Sequence, residues 1–255
     1  MIYFKTRKLD SINDLYTVFN KKEFKSPFRS TIPLISLFKQ NQNLNLNIDE
    51  LKNVPVVKYI FEHETKVQKG RGLPSCTDLM VEYENHCLAI ESKRTEPSYE
   101  TVEKWLKNIP NRYLVLEGWI EILNSNLQLN IQVVDVLNLP YQLVHRVASA
   151  FFSGKKPLVL YIGFDLDNKK EQYYFDSLTK FSNILEQKVD LYFNCYSIEK
   201  FDEQNELEKC WNSGNRDLSA RIIYGLSKNI LMNLTQISAR KITTSPAPQS
   251  IPKNI

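Results

Sequence analysis

Asp78, Glu91 and Lys93 are the residues of this chain whose types and spacing suit a hard cation and a phosphate. They lie on two neighbouring runs. The first, Thr77 to Tyr83, is mostly apolar; the second opens with the apolar Cys87-Leu88-Ala89-Ile90 and closes with Glu91-Ser92-Lys93. Glu84-Asn85 between them suits a two-residue hairpin loop. Pairing Tyr83 with His86 carries down the ladder to Asp78 opposite Glu91, with Cβ atoms about 4.5–5.5 Å apart on one face. Carboxylates so placed raise each other's pKa. A divalent cation removes that cost, and Mg2+ commonly takes one or two carboxylates with water and phosphate. Strand alternation puts Lys93 on the same face as Glu91. An ammonium beside a cation-bound phosphodiester serves hydrolysis: the cation lowers the pKa of a bound water, and the lysine orients that water or offsets transition-state charge.

The pattern Thr77-Asp78, then Glu91-Ser92-Lys93 closing an apolar strand, resembles the Asp…Glu-x-Lys core of the PD-(D/E)XK nuclease superfamily, the restriction-endonuclease-like fold. The proline is Pro74, not adjacent to Asp78. The resemblance is best over Leu51 to Leu106. It implies an α/β fold with a mixed central sheet flanked by helices. It implies a nuclease that holds Mg2+, with Mn2+ able to substitute, through Asp78, Glu91 and the main-chain carbonyl of Ser92. Lys93 would position the attacking water, and the product would carry a 5′-phosphate. It favours DNA, expected double-stranded, as the substrate, and a homodimer would cut both strands of a duplex. Restriction, repair and defence enzymes all use this fold.

Two other readings stand beside it. One is a catalytically inactive nucleic-acid-binding or assembly protein that retains the fold, since fold does not decide function. The other is an ordinary strand pair carrying a Glu91–Lys93 ion pair on a solvated face. The apolar residues on both faces of the second strand argue against the latter and for a central, buried strand.

Positioning these groups requires a strand before the hairpin and helices around it. Val56 to Val67 reads as a strand with Ile60, Glu62 and Glu64 on one face, so Glu62 or Glu64 is a candidate third acid. Lys66-Val67-Gln68-Lys69-Gly70-Arg71-Gly72 is a glycine-bearing basic loop, which makes Lys69 and Arg71 candidate nucleic-acid contacts. Helices are expected from Pro33 to Lys39, Tyr99 to Lys107, Tyr113 to Leu123 (Leu114, Leu116 and Ile120 inward), Leu139 to Phe152, Glu203 to Trp211 and Leu218 to Met232. A short amphipathic stretch covers Ser11 to Phe19. On the helix after Pro140, Gln142, His145 and Arg146 are neighbours on one surface. Gln142 and Arg146 are therefore candidate phosphate contacts. Glu96 reads as a capping or surface group. Pro157 to Phe164 and Val189 to Tyr196 read as buried strands.

The whole chain, 255 residues with 42% hydrophobic content, is enough for one large core. We expect residues 1–50 as a helical and basic segment packed on the core, 51–240 as the α/β domain, and a disordered tail from 241. A net charge of +4 permits a polyanionic partner without demanding one. The four cysteines lack zinc-site spacing. No apolar run approaches the ~18 residues of a membrane helix. The expectation is a cytoplasmic protein with reduced thiols and no membrane partner.

Overall fold

A computed structural model of the chain describes residues 1–19, 28–40, 46–96, 100–215 and 232–243. Outside the described residues lie Lys21, Lys22 and Lys25 of the basic N-terminal end, residues 41–45, Pro97 and Ser98, the expected helix up to residue 231, and the expected tail from 244 on; Lys241, expected to open that tail, instead ends a strand, and Ile242 after it is buried.

In chain order the strands are β1 (Ile2–Phe4), β2 (Arg7–Leu9), β3 (Val56–Thr65), β4 (Ser75–Tyr83), β5 (His86–Lys93), β6 (Lys156–Phe164), β7 (Asp190–Lys200) and β8 (Met232–Lys241). Among the described residues the α-helices of five residues or more are α1 (Thr31–Gln40), α2 (Val102–Leu106), α3 (Pro110–Leu127), α4 (Tyr141–Ser149), α5 (Asn168–Ile184) and α6 (Asp202–Asn212). Among the described residues these eight strands form one mixed sheet in the order β2-β1-β3-β4-β5-β6-β7-β8. β5, β6 and β7 run parallel, as do β1 and β3, and the remaining neighbours are antiparallel.

The protein is thus mixed α/β, with an apolar layer on each face of the sheet. Cys87 and Ala89 of β5 pack with α2, α3, α4 and α5. Leu88 and Ile90 face the other way, into the layer that holds α1 and Leu207 of α6. β5 therefore lies buried on both faces, as its composition predicts. Fully burying a Leu or Ile contributes roughly 1.5–3 kcal/mol, so this strand is among the best-anchored in the molecule.

Several boundaries differ from expectation for local reasons. α3 starts at Pro110, where the missing N–H costs nothing in a first turn. Its inward stripe is Leu116, Trp119, Ile120, Leu123 and Leu127, while Leu114, expected inward, is 47% exposed. α2 begins only at Val102, because Thr101 caps it, its side chain accepting from the Lys104 amide, and forms a bridge with Pro140. Ser30, before α1, gives both its amide and its hydroxyl to Glu96 Oε1, so Glu96 holds the entrance of α1. Met232, the expected end of a helix, opens β8 instead. β1 and β2, three residues each, were too short to show a period and join the sheet as its edge.

The basic loop after β3 is held close to α3. Gly70 has φ +76°, and a Cβ there would meet Val115 Cγ2 at 2.5 Å and the Val115 amide at 3.0 Å. Only glycine allows both that conformation and that approach. Gly70→Ala should lower unfolding free energy by about 2–3 kcal/mol in urea titration, from clash plus strain. Gly214→Ala, at φ +81° with nothing within 4 Å, should lose only the strain, about 1 kcal/mol.

Candidate active site where two strands part

The hairpin register agrees with its two-residue turn. β4 and β5 pair from Glu82↔Cys87 through Leu79↔Ile90. Beyond that pair the strands separate. β5 stays with β6 as far as Lys93↔Gly163, and β4 stays with β3 as far as Ser75↔Thr65. Asp78 sits at the parting. Its Oδ2 accepts from the Ser92 amide at 2.7 Å and the Ser92 hydroxyl at 2.8 Å. A side-chain carboxylate thus takes the amide after the regular ladder ends.

Across the sheet, β3 is irregular at the same level. Glu62, between the paired Phe61↔Leu79 and His63↔Thr77, has φ +52°. A left-handed residue inside a strand costs roughly 1–2 kcal/mol and breaks the alternation of faces. Ile60 and Met80 face the α4 layer. Thr65 and Thr77, an odd number of residues away, also reach α4: Thr65 Oγ1 bonds Ser149 Oγ at 2.7 Å, and Thr77 Oγ1 accepts from Arg146 Nη1. Strict alternation would turn both away.

Glu91 and Lys93 continue the helix-facing side of β5 and are 1% and 3% exposed. Glu91 Oε1 accepts from Lys93 Nζ and from Gln142 Nε2, and its Oε2 meets Arg146 Nη2. Arg146, with no exposed surface, also donates from Nη2 to the Cys76 carbonyl at 2.6 Å. Gln142 and Arg146, expected as surface phosphate contacts, are therefore buried partners of Glu91. Every residue of α4 from Gln142 to Ser149 is buried. Gln142, His145, Arg146 and Ser149 recur at helical spacing as one polar face, which sequence alone reads as solvated; here that face is buried against the sheet.

The charges shape one another. Burial, then the Glu91 charge, pushes the Asp78 carboxyl up to about 6, although Lys93, Arg146 and the Ser92 amide pull the other way. Burial also acts against Glu91, but the Arg146 and Lys93 charges and hydrogen bonds outweigh it and hold Glu91 below its usual range. Burial, with Arg146 and Lys93 nearby, keeps His145 well below its usual value and so neutral. Its Nδ1 lies 2.7 Å from Ser75 Oγ.

The candidate third acids are not brought to this cluster. Glu64 pairs with Lys5. The Glu62 charge acts on Lys5 and Cys76. Among the described residues no group of three or more His, Cys, Asp or Glu is placed to hold a metal ion. The Glu91–Lys93 ion pair exists, but in the interior rather than on a solvated face. Lys69 lies at the surface with Glu121 at 3.2 Å. The main chain of Arg71 is pinned by Asn111, which accepts from its amide and donates to its carbonyl, each at 2.7 Å.

A family model described as a domain of unknown function, DUF6946, matches residues 7–216. No curated protein and no solved structure matches the chain. Among the described residues no helix is long and apolar enough to cross a membrane.

Two measurements probe these electrostatics. Arg146→Ala leaves Glu91 short of its buried partner and should cost about 3–5 kcal/mol of stability. Adding Glu91→Gln should recover part of that loss, as a double-mutant cycle in urea would read. The raised carboxyl of Asp78 favours the folded chain while protonated. Its contribution is full below the unfolded value near 3.8 and is lost as pH rises through about 6. In chelator, the melting temperature of Asp78→Asn relative to the parent should therefore climb from pH 4.5 to pH 7 and level off above it.

Proposed function

We propose that this chain, which belongs to the DUF6946 family, is a metal-dependent nuclease of restriction-endonuclease-like fold that hydrolyses phosphodiester bonds in DNA. The observation that carries the reading is the meeting of Asp78, Glu91 and Lys93 at the point where β4 and β5 part. The Asp…Glu-x-Lys resemblance supports it.

The donor set fits a hard cation such as Mg2+ or Mn2+. Two carboxylates face the same region, Asp78 Oδ1 takes no hydrogen bond among the described residues, and the buried Gln142 Oε1 has no partner among them. Asp78, Glu91 and the Ser92 carbonyl would hold the ion. When bound, it would polarise the phosphodiester and lower the pKa of a ligating water. Lys93, held at Glu91, would orient the nucleophile and offset charge on the phosphate oxygens. Gln142 and Arg146 hold the Glu91 carboxylate in place, and Ser92 holds that of Asp78. The four free thiols agree with a reducing, cytoplasmic setting, and two copies would serve the two strands of a duplex.

One observation favours a second reading. Arg146 and Lys93 already balance Asp78 and Glu91, and among the described residues no third acid joins them in a group placed to hold a metal ion. A site neutral without a cation suits a catalytically inactive nucleic-acid-binding protein. Plasmid and linear duplex cleavage separates the two. The nuclease reading expects Mg2+-dependent, EDTA-sensitive cleavage by the parent, and at least a ~100-fold loss in Asp78→Asn and Lys93→Met. Equal rates in the parent and Lys93→Met would defeat it. DNA binding that persists in EDTA, with no Mn2+ heat by calorimetry, would establish the second.

A further inference from the structure

Beside the carboxylate cluster lies a cavity of about 340 Å3 that the cleavage chemistry does not use. Its walls are the loop after β3, the start of α3, and residues of α2 and α4. Four cations line it, Lys66, Lys69, Arg71 and Arg112, and the lining contains no Asp or Glu. The other wall is aromatic. Trp105 and Tyr141 stack with centroids 3.5 Å apart and planes 6° from parallel, and Trp119 Nε1 donates to Tyr141 Oη at 3.2 Å.

The cavity is preformed. Gly70 lets the loop lie directly on Val115, and Asn111 fixes the Arg71 main chain on both sides. Lys66 and Arg71 are exposed, and their side chains make no ion pair among the described residues. Leu73 stands at the lip, 96% exposed, on the same pinned loop. An apolar side chain held out beside cations is suited to replacing a base's stacking neighbour. The cavity also reaches the cluster: Ser75 lines it and bonds His145, the residue before Arg146.

We propose that this cavity takes a single unstacked nucleotide, with its phosphate against Lys66 and Arg71 and its base toward the Trp105–Tyr141 wall. Size decides between nucleotide and duplex. At about 340 Å3 the cavity is at the small end of ligand pockets, roughly 300–1,000 Å3. A duplex, whose major groove alone is about 12 Å wide, does not enter. Aromatic surface with cations is the chemistry that holds single strands without sequence preference. The inference deepens the nuclease reading by naming an unpaired strand or strand end as its substrate, but the binding does not depend on catalysis.

The test follows tryptophan fluorescence in EDTA, since Trp105 and Trp119 line the cavity. The probes are a short oligothymidylate, dAMP, and a relaxed, covalently closed circular duplex with no unpaired nucleotides. Expected is saturable quenching by the single strand, none by the closed duplex at the same concentration, and at least a ~10-fold weaker Kd for Lys66→Ala/Arg71→Ala. Both residues are exposed, so the variant should fold as the parent does. Quenching by dAMP as tight as by the strand assigns the site to free nucleotides; weaker quenching assigns it to strands. No quenching by either, equal quenching by the closed duplex, or an unchanged double variant overturns the proposal. Cleavage of the single strand measured on parallel samples of the same protein, with Mg2+ in place of EDTA, keeps the two ideas apart. Cleavage with no quenching removes the nucleotide site alone, and quenching with no cleavage removes the nuclease reading alone.

Discussion

Glu91 carries a full negative charge in the interior of the molecule, and the surrounding structure is arranged to make that tolerable. An unpaired buried carboxylate costs several kcal/mol. Three donors from two elements offset that cost: Lys93 on its own strand, and Gln142 and Arg146 on α4. α4 must therefore lie across β5, and it also binds β3 through Thr65 and β4 through Cys76 and Thr77. The helix that neutralises Glu91 thus also bonds two further strands. The left-handed Glu62 is part of the same arrangement, because it lets residues on both sides of it face α4.

Asp78 is held differently. Among the described residues it has no cation in direct contact, only the amide and hydroxyl of Ser92, and its carboxyl is raised where that of Glu91 is lowered. Two acids close together with pKa values driven apart by their surroundings are the pattern expected where a site does chemistry. The raised partner is also the one that gains most from a nearby cation, since only a positive charge offsets both its burial and its neighbour.

Much of this was legible in the chain. The two-residue turn was enough to register the hairpin, because in an antiparallel ladder one pair determines the rest. The apolar composition of Cys87 to Ile90 announced a strand covered on both faces. The α/β class followed from apolar strands separated by helix-like segments. The third-acid candidates were not placed correctly, because strict alternation was assumed through Glu62 and its positive φ has no sequence signal. β8 was missed for a related reason: its polar, exposed residues describe an edge strand, whose pairing on one side supplies what its composition does not.

Local order along the chain determined which residues share a strand, which strands are buried, and that an acid, an acid and a lysine would lie on neighbouring strands. Only the tertiary structure decided who neutralises them. Arg146 and Gln142 are more than fifty positions from Glu91, and nothing in their own neighbourhood distinguishes a phosphate contact from a buried counter-ion. That choice depends on which face of α4 meets the sheet, and packing of the whole apolar layer sets that face rather than any one residue.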